Sequence, residues 1–138
     1  MTKPIFVDTS YFLALVNSHD EFHQYASILG DQIEAKLITT EAVLTEIGNA
    51  LAKSQWRELA VVTLNDLRDD EDVEILSITP QLFSKALKFY SSRMDKEWGL
   101  TDCISFVVMK ERKLTDALTT DHHFEQAGFK SLLRDVGK

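Results

Sequence analysis

The chain has 138 residues, 44% hydrophobic and 27% charged, with a net charge of −7, a size and balance that fit one domain, residues 1–138, with a core of its own. The acidic total argues against a plain basic nucleic-acid-binding module, and no apolar run approaches the roughly 20 residues that cross a bilayer. A single cysteine, Cys103, excludes an internal disulfide, and with no signal-peptide pattern in MTKPIFVDTS the expected setting is the reducing cytoplasm.

PIFVD opens the chain as a short apolar, β-branched run of the kind buried in a parallel sheet. TSYFLALVNS follows as a helix with Thr9 or Ser10 as its expected N-cap, and Asp20 is placed to cap a second helix, EFHQYASILGDQIEA. KLIT reads as a second strand. Thr40 then caps EAVLTEIGNALAK, whose apolar residues recur at helical spacing. QWRELAVVTLNDLR is a fourth helix and runs into an acidic stretch. VEILSI is a third strand, and Thr79 with Pro80 opens the helix QLFSKALKFYSSRM. Thr101 opens DCISFVVMKERK, which is apolar nearly all round at its start and is therefore expected to be buried. ALTT is a fourth strand, HHFEQAG a short helical turn stopped by Gly128, and FKSLL a candidate last strand. Short strands alternating with helices imply an α/β fold, a parallel sheet covered on both faces. In such sheets ligands gather beyond the carboxyl ends of the strands, where strand order reverses.

Charge is unevenly spread along this pattern. DLRDDEDVE, from Asp66 to Glu74, carries a net −5 and the rest of the chain −2. The stretch from Lys85 to Lys96 holds Lys85, Lys88, Arg93 and Lys96 against one acid, Asp95. A locally basic face is thus compatible with the acidic total.

Four carboxylates share a destination. Asp8 ends the first strand and Asp121 the fourth, so both meet one crevice if those strands are neighbours. On the third helix Val43, Leu44, Ile47, Ala50 and Leu51 form an apolar stripe; Glu46 falls only about 40° outside it, whereas Glu41 points nearly opposite. Asp102 lies at the first turn of the sixth helix, with Ser105 one turn further along the same face. Converging carboxylates repel one another unless some take up protons or a counterion intervenes. Mg²⁺ or Mn²⁺ answers that need, since both prefer carboxylate and water oxygens, and either suits metal-assisted phosphodiester hydrolysis.

With these residues in view, the chain resembles the PIN-domain ribonucleases, and most closely their VapC-like toxin branch. IFVDTSYFLAL resembles the family's opening strand, TTEAVLTEIGNAL its second motif, and LTDCISFVVMKERKLTDALTTDHHFEQAGF its third and fourth together. The resemblance implies a three-layer α/β/α fold with a short central, mostly parallel sheet of four to five strands. It implies Asp8, Glu46, Asp102 and Asp121 as the catalytic, metal-binding carboxylates, with Thr9 and Thr119 as supporting hydroxyls. Asp8 and Asp102 would ligate Mg²⁺ or Mn²⁺ most directly, and Glu46 and Asp121 would hold its waters or a second ion. Asp121 is preferred to Asp116 because it ends the β-prone run that Asp116 precedes. An RNA substrate, a homodimer and a small antitoxin partner are further implications.

Arg93, Lys96, Trp98 and His122 are candidate RNA contacts: a loop tryptophan stacks on unpaired bases and cations meet phosphate. His122 or His123 is also placed to touch a catalytic aspartate. His19 and His23 superficially match a zinc motif, but no third ligand accompanies them and a capped helix start explains them better. Cys103, in an apolar helix, is expected to be inert core, and Trp56 is a candidate for core packing or a partner surface. Two rival readings are a response-regulator-like phosphoacceptor domain, which would want paired acids after the first strand and a lysine at a late strand end, and a PIN-like module that binds RNA or a partner without cutting.

Overall fold

The computed structural model describes residues 2–135. The chain order is β1 (Ile5–Val7), α1 (Thr9–Val16), α2 (His23–Gln32), β2 (Leu37–Thr40), α3 (Glu41–Ala50), α4 (Ser54–Asp69), β3 (Val73–Leu76), α5 (Pro80–Ser92), α6 (Leu100–Glu111), β4 (Asp116–Leu118), α7 (His122–Gln126), β5 (Lys130–Ser131) and α8 (Leu132–Asp135). The five strands are all parallel, in the order β3-β2-β1-β4-β5. Helices flank the sheet in the expected α/β/α arrangement, with α1 packed on α2, α3 on α4, and α5 along α6. No helix among the described residues is long and apolar enough to cross a membrane.

Strand order reverses beside β1. Its next strand in sequence, β2, lies on one side, and β4 lies on the other, with Phe6 opposite Ala117 and Val7 opposite Leu118. That register sets the residues after Val7 and Leu118 side by side at the carboxyl edge. The central strands β1 and β4 are buried, as their apolar composition requires: Phe6, Val7, Ala117 and Leu118 are at most 1% exposed. Beneath the edge, Phe106 of α6 meets Phe124 of α7 at 4.9 Å and Trp98 at 5.1 Å, both edge-on. This aromatic cluster ties α6 and α7 to the sheet.

Several local starts differ from the sequence expectation. Asp8, rather than Thr9 or Ser10, is the N-cap of α1. Aspartate caps as well as serine does, and the strand delivers its extended backbone directly to that position. Asp20 accepts from Phe22 N at 2.8 Å in a turn, and α2 begins later, at His23. Gly99, not Thr101, precedes α6. Strand β4 ends at Leu118, so Thr119 and Thr120 belong to the connection. Only Lys130 and Ser131 of FKSLL pair as strand before α8 begins. The caps at Thr40 and Thr79 are as expected, accepting from Val43 N and Leu82 N, with Pro80 in the first turn of α5.

Candidate active site

The site begins with the cap of α1. Asp8 is 5% exposed, and one of its oxygens, Oδ2, accepts from Ser10 Oγ at 2.8 Å, Thr119 Oγ1 at 2.8 Å and, more weakly, Ser10 N at 3.5 Å. No buried side-chain polar atom among the described residues lacks a partner, so Oδ1, which no donor meets, faces solvent. The carboxyl group is pushed up to about 6, first by burial and then by the charges of Asp102 and Asp121, against the lowering effect of its two hydroxyl donors. Buried charge and like charges both disfavour ionisation.

The second motif reaches this edge through a hydroxyl. Thr9 Oγ1 donates to Glu46 Oε1 at 2.7 Å, which turns the exposed Glu46 of α3 toward the start of α1. Glu41, on the other side of α3, accepts from Ile78 N at 3.0 Å and takes no part. Asp102 comes from the first turn of α6, where its Oδ2 accepts from Gly99 N at 3.1 Å. Burial raises its carboxyl, and the charge of Asp121 raises it further; the bond from Gly99 and the nearness of His123 act in the opposite direction. Ser105, expected on the same face, is fully buried and donates to Thr101 O at 3.0 Å.

Asp121 caps α7, its Oδ1 accepting from His123 N at 2.9 Å. Its own N–H donates to Thr119 Oγ1 at 3.0 Å. Thr119 therefore links the first and last motifs, donating to Asp8 while accepting from Asp121. Asp116 stands at the opposite, amino end of β4, across from Lys130 of β5, and is not part of the site.

Asp8, Asp102 and Asp121 are close enough to act on one another's charge, and Thr9 and Thr119 tie Glu46 and Asp121 to the start of α1. The group whose ligating atoms lie within 4.8 Å of each other, among the described residues, is Asp121, His122 and His123. One participant was not singled out as a site residue by the sequence. Ser10 bonds Asp8, lies 3.0 Å from Thr119 Oγ1 and accepts from Thr120 N at 2.9 Å; an aspartate N-cap followed by serine two positions on was the available signal. His123, rather than His122, stands between the carboxylates, its Nδ1 3.2 Å from Asp102 Oδ2 and 3.3 Å from Asp121 Oδ2.

Trp98, a candidate RNA contact, is instead packed in the core. The ring is 4% exposed, its Nε1 donates to Gln126 Oε1 at 2.9 Å, and Arg93 lies 4.9 Å from its centroid. A ring packed on Phe106 and Phe89 has no face left for a base. Arg93 is itself engaged, making two bonds to Asp95 at 2.9 and 3.0 Å. Lys96 is partly exposed beside the same acid, and His122 is exposed at the cleft. Cys103 is buried, as expected, while Trp56 is 46% exposed.

A parallel sheet reversing at β1, with acids from the starts of α1, α6 and α7 near its carboxyl edge and Glu46 of α3 tied to that edge through Thr9, defines an α/β protein with an acidic site at the sheet's carboxyl edge. The chain belongs to the PIN domain family, whose model matches residues 5–130. It is 30% identical over 125 residues to the 23S rRNA-specific endonuclease VapC20 of Mycobacterium tuberculosis, covering 91% of this chain and 95% of that protein. The crystal structure of VapC20, a Sarcin-Ricin loop cleaving toxin, superposes with a TM-score of 0.84 at 29% identity, over 91% of this chain and 95% of that one. The same fold recurs in VapBC2 from Rickettsia felis bound to a DNA fragment from its promoter, with a TM-score of 0.66 at 14% identity over 93% and 96% of the two chains. The strand order also separates this chain from the phosphoacceptor alternative, whose flavodoxin-like sheet runs 2-1-3-4-5.

Proposed function

We propose that this protein is a metal-dependent endoribonuclease, the toxin of a toxin–antitoxin pair. The observation that carries the reading is buried Asp8, fixed by Thr119 and facing the charges of Asp102 and Asp121. Such an arrangement is stabilised by a divalent cation, and a set of carboxylate oxygens suits Mg²⁺ or Mn²⁺. Similarity to VapC20 supports RNA as the substrate, and ribosomal RNA is the first to test.

Asp8 and Asp102 would hold the ion, Asp8 through the Oδ1 turned to the cleft. Glu46, aimed by Thr9, and Asp121, fixed by Thr119 and by its cap of α7, would orient water and a second coordination position. When bound, the ion supplies neutralisation of phosphate charge and a lowered pKa for attacking water. The chain's own contribution is placement: Ser10 and Thr119 lock the Asp8 carboxylate, and Gly99 N locks that of Asp102. Substrate charge is met by Lys96 and His122 at the rim.

An antitoxin partner and a homodimer complete the reading. Phe83, Leu87 and Tyr90 are 42%, 47% and 45% exposed along one side of α5, and this apolar strip supports self-association. Cytoplasmic action on RNA fits the free Cys103.

The deciding experiment is cleavage of ribosomal RNA by the purified protein with Mg²⁺, with Mn²⁺ and with chelator, beside Asp8→Asn and Asp102→Ala. Cleavage that needs the ion and both carboxylates is expected. Tight Mn²⁺ binding without cleavage of any RNA would leave a binding module instead.

A further inference from the structure

His122 and His123 lie outside the carboxylate set, yet their rings stand against it. Nδ1 of His123 occupies the gap between Asp102 and Asp121, 3.2 and 3.3 Å from their oxygens. His122 stands beside it, Nδ1 3.7 Å from Asp121 Oδ1, with ring centroids 4.5 Å apart. One ligating atom from each of Asp121, His122 and His123 lies within 4.8 Å of the others. Their spacing is built into the backbone. Asp121 caps α7 through His123 N, and the next residue, fully buried Phe124, anchors that turn against Phe106 and Phe6.

Mg²⁺ takes oxygen ligands and keeps its waters, whereas Zn²⁺ and, less strongly, Mn²⁺ accept imidazole nitrogen beside carboxylate. We infer that Asp121, His122 and His123 form a mixed nitrogen–oxygen cation site that selects a first-row transition ion, Zn²⁺ above Mn²⁺, over Mg²⁺. It shares Asp121 with the carboxylate centre and so rests on the proposed function for its place in catalysis, though not for its chemistry. Choice of metal then belongs to two histidines at the mouth of the cleft rather than to the four carboxylates alone.

The test is metal binding to the full chain, stripped of ions and free of RNA. Zn²⁺, Mn²⁺ and Mg²⁺ are titrated by calorimetry, and bound Mn²⁺ is examined by pulsed electron paramagnetic resonance for coupling to ligand nitrogen. Exposed His122 is changed to Ala and His123 to Asn, singly and together, with circular dichroism confirming the fold. The expected result is nitrogen coupling in the wild type, its loss in the double variant, and Zn²⁺ binding weakened about ten- to a hundredfold while Mg²⁺ binding changes less than about twofold. Unchanged Zn²⁺ affinity in every variant, or an equal loss for Mg²⁺, overturns the inference. Failure of the carboxylate centre looks different: Zn²⁺ binding would depend on the histidines while Mg²⁺ binding ignored Asp8→Asn.

Discussion

The Thr119 hydroxyl donates to the Asp8 carboxylate at 2.8 Å, joining residues 111 positions apart across the β1–β4 seam. The same oxygen receives the N–H of Asp121 at 3.0 Å, so one buried side chain sets two acids of the cleft. Replacing Thr119 with Val keeps its shape and removes both bonds. The expected loss is about 1–3 kcal/mol, because a buried charge-assisted bond goes and the Asp121 N–H is left without its partner. Urea unfolding followed by circular dichroism measures it, and Thr119→Ser should recover most of the stability. Equal stability of wild type and Thr119→Val would show that the seam is held by packing alone.

Asp8 makes the metal-free protein sensitive to pH. Its folded pKa is raised to about 6, above its unfolded value. Its contribution to stability is therefore fully present below the unfolded value and is lost as pH rises through about 6. In chelator, wild type should lose about 1–3 kcal/mol relative to Asp8→Asn between pH 4 and pH 7. Adding Mn²⁺ at pH 7 should stabilise the wild type more than the variant. Parallel pH profiles for the two proteins would contradict the strain assigned to this carboxylate.

Thr9 acts on Glu46 through a single 2.7 Å bond. Thr9→Val should lower RNA cleavage about tenfold by freeing Glu46, an effect of the size seen when residues supporting a metal ligand are changed. Thr9→Ser retains the donor and should stay near wild type. Initial rates on one defined RNA decide between them, and equal rates for the Val and Ser variants would remove Thr9 from the site.

Trp98 belongs to the core. Truncation to Ala should cost about 3–5 kcal/mol, as for other buried aromatic residues. In a Trp56→Phe background, emission from Trp98 should be insensitive to added RNA, since the ring is 4% exposed. Strong quenching on RNA binding would place a base against the ring and reverse this assignment.

Gly128 ends α7 with a φ of +96°, a conformation that costs residues with a side chain. Nothing crowds a methyl group there, so Gly128→Ala should destabilise through the backbone alone, by about 1–2 kcal/mol. Thermal or urea denaturation tests it; an unchanged midpoint would mean that the turn relaxes freely.

Much of this was legible in the chain itself. Strands, most helices, the caps at Thr40 and Thr79, and the stop at Gly128 follow from hydrophobic period and cap chemistry, which act over a few residues. Asp8, Asp102, Asp121, Thr9 and Thr119 stand at or beside element boundaries that those local rules locate, and Glu46, inside α3, was readable from its place beside that helix's apolar stripe. The resemblance added which boundaries meet. What the sequence could not decide depends on distant partners. Asp8, the cap of α1, gained a second partner when β4 brought Thr119 within reach of its carboxylate. Trp98 turned inward because Phe106, Phe89 and Gln126 gave its ring and its N–H a home. His123 entered the gap between Asp102 and Asp121 only when α6 and α7 docked on one aromatic cluster. Local patterning specifies elements and their ends; contacts made across a hundred residues, and the rotamers they favour, exist only once the sheet has closed over its core.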